Sequence, residues 1–213
     1  MHRAFIYLLL ASVVAASCLI EYWGTRLLAP FSTSKQDRIA LVLIALCVLA
    51  IALFPTNFVV TNCFVLVAGL FAGALLGRRL GSVGALVTFL TVAAVADLIS
   101  TYAGPTRWIA NQAQHTHHGL ALFQLLAVSF RLKGELVAVI GVGDLMFFTV
   151  CVSVMRRLGW PETSVLIVPL LGILSALGVG LFAGLTPALP FLAAVVILYA
   201  YTSSSMQKNP CQG

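Results

Sequence analysis

Long apolar runs broken by short clusters of arginine, proline and glycine set the pattern of this chain. Seven stretches are nearly free of charge: 4–23, 39–54, 58–76, 81–103, 136–155, 164–182 and 191–201. A helix needs roughly 20 apolar residues to cross the hydrocarbon core of a bilayer, and most of these runs approach that length. The pattern predicts an all-α, polytopic membrane helical bundle with about seven transmembrane helices. Arg26, Lys35, Asp37 and Arg38 separate the first run from the second. Pro55-Thr56-Asn57, Arg78-Arg79, Gly104-Pro105, Arg156-Arg157 and the stretch from Gly184 to Pro190 mark later boundaries. The longest connection, 106–134, holds Trp108, Phe123 and an apolar patch at 120–130 that is too short to span. An interfacial or re-entrant segment is expected there.

The first run follows Arg3 and contains Ala15-Ala16-Ser17-Cys18, which has some likeness to a cleavage site. Because the apolar run continues through Leu19 and Ile20, it is kept as a first span. Gly69, Gly73 and Gly77 recur at every fourth position of the third run, and Gly172, Ala176, Gly180 and Gly184 do so in the sixth. Such stripes bare one helix face and let a neighbouring helix come close. The chain is expected to divide into a three-helix scaffold, 1–80, and a second part, 81–213, that carries Asp97, the Gly141–Asp144 motif and the Pro187–Leu189 turn.

Composition agrees with the pattern. Of 213 residues, 61% are hydrophobic and 8% charged, against about 25% charged in soluble domains. Mean hydropathy is +1.07. The net charge of +6 is scattered through the connections and forms no basic face, so nucleic acid is not an expected partner. Five cysteines include no Cys-x-x-Cys pair; they are read as small buried hydrophobes, neither a disulfide framework nor a zinc site. His115, His117 and His118 lack an accompanying cysteine or carboxylate, so no metal is expected. Tyr22, Trp23, Trp108 and Trp160 fall at span ends, where aromatic anchors belong.

Basic residues also orient the bundle. One side of a seven-span arrangement carries Arg3, Arg107, Arg131 and Lys133, and the other carries Arg26, Lys35, Arg38, Arg78, Arg79, Arg156, Arg157 and Lys208. The positive-inside rule then puts the C-terminus in the cytoplasm. A multi-pass protein of a prokaryotic cytoplasmic membrane is expected.

Six acidic residues bear on the chemistry. Glu21, Asp37, Glu135 and Glu162 lie at or beyond the ends of apolar runs, which leaves Asp97 and Asp144 inside them. An ionised aspartate at mid-span costs about 2.5–3.5 kcal/mol even on the lenient insertion scale, which marks both residues as functional. Counted from the ends of runs 81–103 and 136–155, both lie about 9–12 Å below the same face. Pro187-Ala188-Leu189 enters from that face too. Two close carboxylates in a low-dielectric site share one proton, so one can act as base and the other as acid. The base would activate water for attack on a peptide carbonyl, and the acid would hydrogen-bond its oxygen. Gly141 and Gly143 would let the partner helix and a substrate backbone approach Asp144. Pro187 would free backbone groups that a locally unwound substrate strand could pair with.

These residues carry a resemblance. Gly141-Val142-Gly143-Asp144 in one span, Asp97-Leu98-Ile99-Ser100 in the span before and Pro187-Ala188-Leu189 opening the last resemble the presenilin and signal peptide peptidase family of Gly-x-Gly-Asp intramembrane aspartyl proteases. The resemblance covers about 81–201. It implies that Asp97 and Asp144 are the catalytic pair and that Pro187, Ala188 and Leu189 support the site and dock substrate. Ala96 stands where the family usually has tyrosine; Tyr102, further along the same run, is a disfavoured candidate to replace it. The expected orientation resembles that of signal peptide peptidase. The reading implies an enzyme without cofactors, acting on transmembrane segments or remnant signal peptides, with the lipid bilayer as surroundings and a homo-oligomer as an option. The principal alternative is a proton- or cation-coupled transporter or channel using the same two carboxylates.

Overall fold

A computed structural model describes residues 2–28, 34–53, 58–104, 127–132, 135–183 and 186–207. Among these, seven helices form a bundle: α1 (His2–Leu28), α2 (Ser34–Leu53), α3 (Phe58–Arg79), α4 (Val83–Ala103), α5 (Val142–Arg157), α6 (Glu162–Ala183) and α7 (Leu189–Gln207). Four contain stretches long and apolar enough to cross a membrane: Ile6–Leu28, Val59–Arg79, Val83–Ala103 and Glu162–Gly180. A shorter apolar helix covers Leu189–Ser203. The protein therefore has the character of a helical membrane protein.

One apolar run is not a single helix. Residues 136–155 divide between β2 (Glu135–Gly141) and α5, and β2 pairs antiparallel with β1 (Ala127–Leu132). The pairs run from Leu132 opposite Glu135 to Ala127 opposite Gly141, with an irregularity between Val128 and Ser129. The physical reason lies in composition: Val137, Val139 and Ile140 are β-branched, and Gly141 is a poor helix former. The patch at 120–130, expected as an interfacial segment, contributes its last four residues to β1; the rest, with Trp108, Phe123 and the three histidines, lies outside the described residues.

Helix α5 is the central element. Leu145, Phe148, Thr149, Val150, Cys151, Val152, Val154 and Met155 are buried, so no face of this helix is wholly exposed. Its neighbours are α3, α1 and α6, and α3 approaches most closely. The glycine stripe explains why. A Cβ at Gly73 would lie 2.5 Å from the Met146 carbonyl oxygen, and one at Gly77 would lie 2.8 Å from Ser153 Cβ. The second stripe also has a partner at Gly172, where a Cβ would lie 2.6 Å from Leu192 Cα of α7.

The ends of α1, α3 and α5 meet the starts of α2 and α6 at an arginine-rich end. Arg156 donates to Glu162 Oε1 and Oε2 at 3.0 and 3.2 Å and to Thr25 Oγ1 at 2.9 Å. Arg157 donates to the carbonyls of Gly77, Arg78 and Leu80 at the end of α3, while Arg78 and Arg79 pair with Asp37 of α2. Arg157 thus meets free carbonyls at a helix C-terminus, where positive charge is favoured. Tyr22 is not a loose interfacial anchor: it is buried, and its hydroxyl donates to Glu162 Oε2 at 2.6 Å. Cys18, Cys47 and Cys151 are buried as expected of small hydrophobes, whereas Cys63 is exposed.

Candidate active site

Asp97 lies in the last third of α4, whose start is fixed by Ser82 accepting from the Ala85 N–H at 3.1 Å. Its Oδ2 accepts from the backbone N–H of Leu189, the first residue of α7, at 3.2 Å. The first N–H groups of a helix have no partner within it, so the carboxylate of α4 caps α7. Thr101, one turn further along α4 and buried, also hydrogen-bonds Asp97 through its side chain. Pro187 and Leu189 are buried and Ala188 is half-buried, and the Ala188 carbonyl accepts from the Leu192 N–H at 3.1 Å to open the helix. The Pro-Ala-Leu turn and the first aspartate are thus one hydrogen-bonded unit.

Asp144 occupies the first turn of α5. Its Oδ2 accepts from the Gly141 N–H at 3.2 Å, so the carboxylate folds back to cap its own helix. The two aspartates are close enough for the charge of Asp97 to act on Asp144. Phe89 and Phe147 join the same two helices, their ring centroids 5.3 Å apart. Asp97 and the Pro-Ala-Leu turn therefore come together, and Asp144 opens another helix within range of the Asp97 charge; both aspartates are half-buried.

The route to this juxtaposition differs from the expected one. Asp144 is not well inside a continuous span; it is the third residue of a helix that follows a strand, so its depth cannot be counted in helical steps from residue 136. The two glycines differ in what they face. A Cβ at Gly141 would lie 3.1 Å from Asp144 Oδ2, so this glycine makes room for the carboxylate itself. At Gly143 a Cβ would meet nothing within 4 Å, so its missing side chain leaves open space and serves no helix contact. Tyr102 is 59% exposed.

A third carboxylate went unrecognised in the pattern of apolar runs. Helix α1 extends to Leu28, which places Glu21 inside it and fully buried. Glu21 Oε2 accepts from the Thr149 hydroxyl at 2.7 Å, whereas Oε1 has no hydrogen-bond partner among the described residues. The signal was present: Ser17, Glu21 and Thr25 stand four apart and are all buried, a polar stripe at helical spacing in an apolar segment. Among the described residues no group of three or more His, Cys, Asp or Glu side chains is arranged to hold a metal ion. Comparison with protein-family models, curated proteins and solved structures produced no match to this chain.

Proposed function

We propose that this chain is an intramembrane aspartyl protease in which Asp97 and Asp144 share a proton and activate water against a peptide bond of a transmembrane segment. The supporting observation is that Asp97, bound to the Leu189 N–H of the Pro-Ala-Leu turn, lies within electrostatic range of Asp144 at the start of a separate helix, both residues being half-buried. Two capping aspartates would each suffice for a helix end; the reach of the Asp97 charge to Asp144 is what capping alone does not require. In the proposed reaction the ionised member takes a proton from water, the oxygen attacks the carbonyl carbon, and the protonated member hydrogen-bonds the carbonyl oxygen. Collapse of the tetrahedral intermediate breaks the C–N bond and delivers a proton to the leaving amine.

Strand β2 leads directly into the Asp144 helix, so its hairpin offers a backbone edge beside the site. A substrate helix unwound into a strand could satisfy its backbone groups by pairing there. The proposed topology is seven membrane-crossing helices with the arginine-rich end and the C-terminus in the cytoplasm. The shorter α5 covers about 24 Å, and the hairpin would complete its passage through a core of roughly 30 Å.

Glu21 gives the transporter reading an observation of its own, because a buried carboxylate with a free oxygen is also what a proton or cation pathway uses. The deciding experiment is reconstitution of purified protein with a single-span peptide. Cleavage by the parent chain, lost by at least about a hundredfold in both Asp97→Asn and Asp144→Asn, supports the protease. Proton-dependent solute flux without proteolysis, abolished by the same substitutions, would replace that reading with transport.

A further inference from the structure

At the arginine-rich end, far along the bundle from the aspartates, α1, α2 and α3 line an open-sided cavity of about 290 Å³. Leu28, Ile39, Ala40, Leu43 and Phe71 contribute apolar walls, and Arg78 is the single charged residue of the lining. Ala40 is buried, while Ile39 is 57% exposed, so the cavity reaches from the packed interior to the surrounding lipid. An apolar cavity of this kind offers water almost no hydrogen bonds and favours hydrocarbon.

The charge above it is not neutral. Arg78 and Arg79 both approach Asp37, at 3.1 and 3.2 Å, and Arg38 is adjacent in sequence. Two guanidinium groups, those of Arg78 and Arg79, against the one Asp37 carboxylate leave a net positive charge beside the cavity. The Arg79 side chain is 77% exposed, so it can turn to an anion without losing a buried contact. Basic pockets between membrane helices suit anionic lipid headgroups, and the apolar walls suit the acyl chain joined to such a headgroup.

We propose that this cavity and its arginines form a binding site for one anionic phospholipid of the bilayer, with an acyl chain between α1, α2 and α3 and the phosphate facing Arg78 and Arg79. The site stands independently of the protease reading. Native mass spectrometry of the full-length protein in detergent, after incubation with phosphatidylglycerol or with phosphatidylcholine of the same acyl chains, tests it. One phosphatidylglycerol should be retained per chain, at least tenfold more firmly than phosphatidylcholine. Arg79→Gln should weaken phosphatidylglycerol retention about fivefold and leave phosphatidylcholine unchanged. Ala40→Phe should fill the cavity and remove the bound lipid, with a melting measurement in lipid-free detergent reporting whether that variant folds. If it does not fold, Arg79→Gln decides alone. Equal retention of the two lipids, no retained lipid, or phosphatidylglycerol retention unaffected by Arg79→Gln would overturn the proposal.

Discussion

Gly141 and Gly143 flank the same aspartate at unequal distances from it, and alanine substitution separates their roles. At Gly141 the new methyl would crowd Asp144 Oδ2 from 3.1 Å. Small displacements of a reacting group are costly, so Gly141→Ala should lower cleavage about tenfold while the melting temperature stays within a few degrees. At Gly143 the methyl meets open space inside a helix, where alanine is favoured over glycine by about 0.5–1 kcal/mol. Gly143→Ala should therefore stabilise the protein slightly, and a rise in KM would show that a substrate backbone uses the vacated space. Among the described residues Thr149 is the hydrogen-bond partner of the buried Glu21 carboxylate, so Thr149→Val should cost about 1–3 kcal/mol. Unfolding in a mixed-detergent titration measures it, and Glu21→Gln, which retains an acceptor for Thr149, should cost less.

Among the elements, the α3–α5 contact offers the sharpest mechanical test. Gly73→Val would drive a side chain into the backbone oxygen of Met146 and into Thr149, an overpacking worth about 3 kcal/mol. Gly84→Ala on α4, where a Cβ meets nothing within 4 Å among the described residues, is the matched control and, like Gly143→Ala, should stabilise the protein slightly, with no loss. Helix packing of this kind was legible in the sequence, because a glycine at every fourth position has one physical use in a membrane helix. The hairpin was not, since hydropathy alone reads residues 136–155 as one apolar run; the β-branched cluster at 137–140 and the Lys133-Gly134 pair before it were the cues that distinguish a strand. The extent of α1 was misread for a related reason. Glu21 looked like the end of a span because it is charged, yet its stripe with Ser17 and Thr25 is the mark of a buried polar face.

For the whole molecule, the two ends of α5 divide the labour: Asp144 stands in the first turn and Arg156-Arg157 in the last, about 18 Å apart along the axis. One end gathers the aspartates and the Pro-Ala-Leu turn, and the other binds five helix ends through arginine. On the proposed topology, with the basic end in the cytoplasm, replacing Gln207 with cysteine in a background without other cysteines should give a thiol that an impermeant reagent reaches only after the membrane is opened. Labelling in intact cells would reverse the topology. The aspartates themselves were legible because charge inside an apolar run is costly, whereas their capping roles depended on where α5 and α7 begin. The most direct test of the shared proton is the pH dependence of peptide cleavage by the reconstituted protein. Below the working range both carboxyls are protonated and no base is left; above it both are ionised and no acid is left. The account predicts a bell-shaped rate whose two limbs are both lost in either asparagine variant. A rate that rises to a plateau and never falls, or a bell that survives Asp97→Asn, would contradict it.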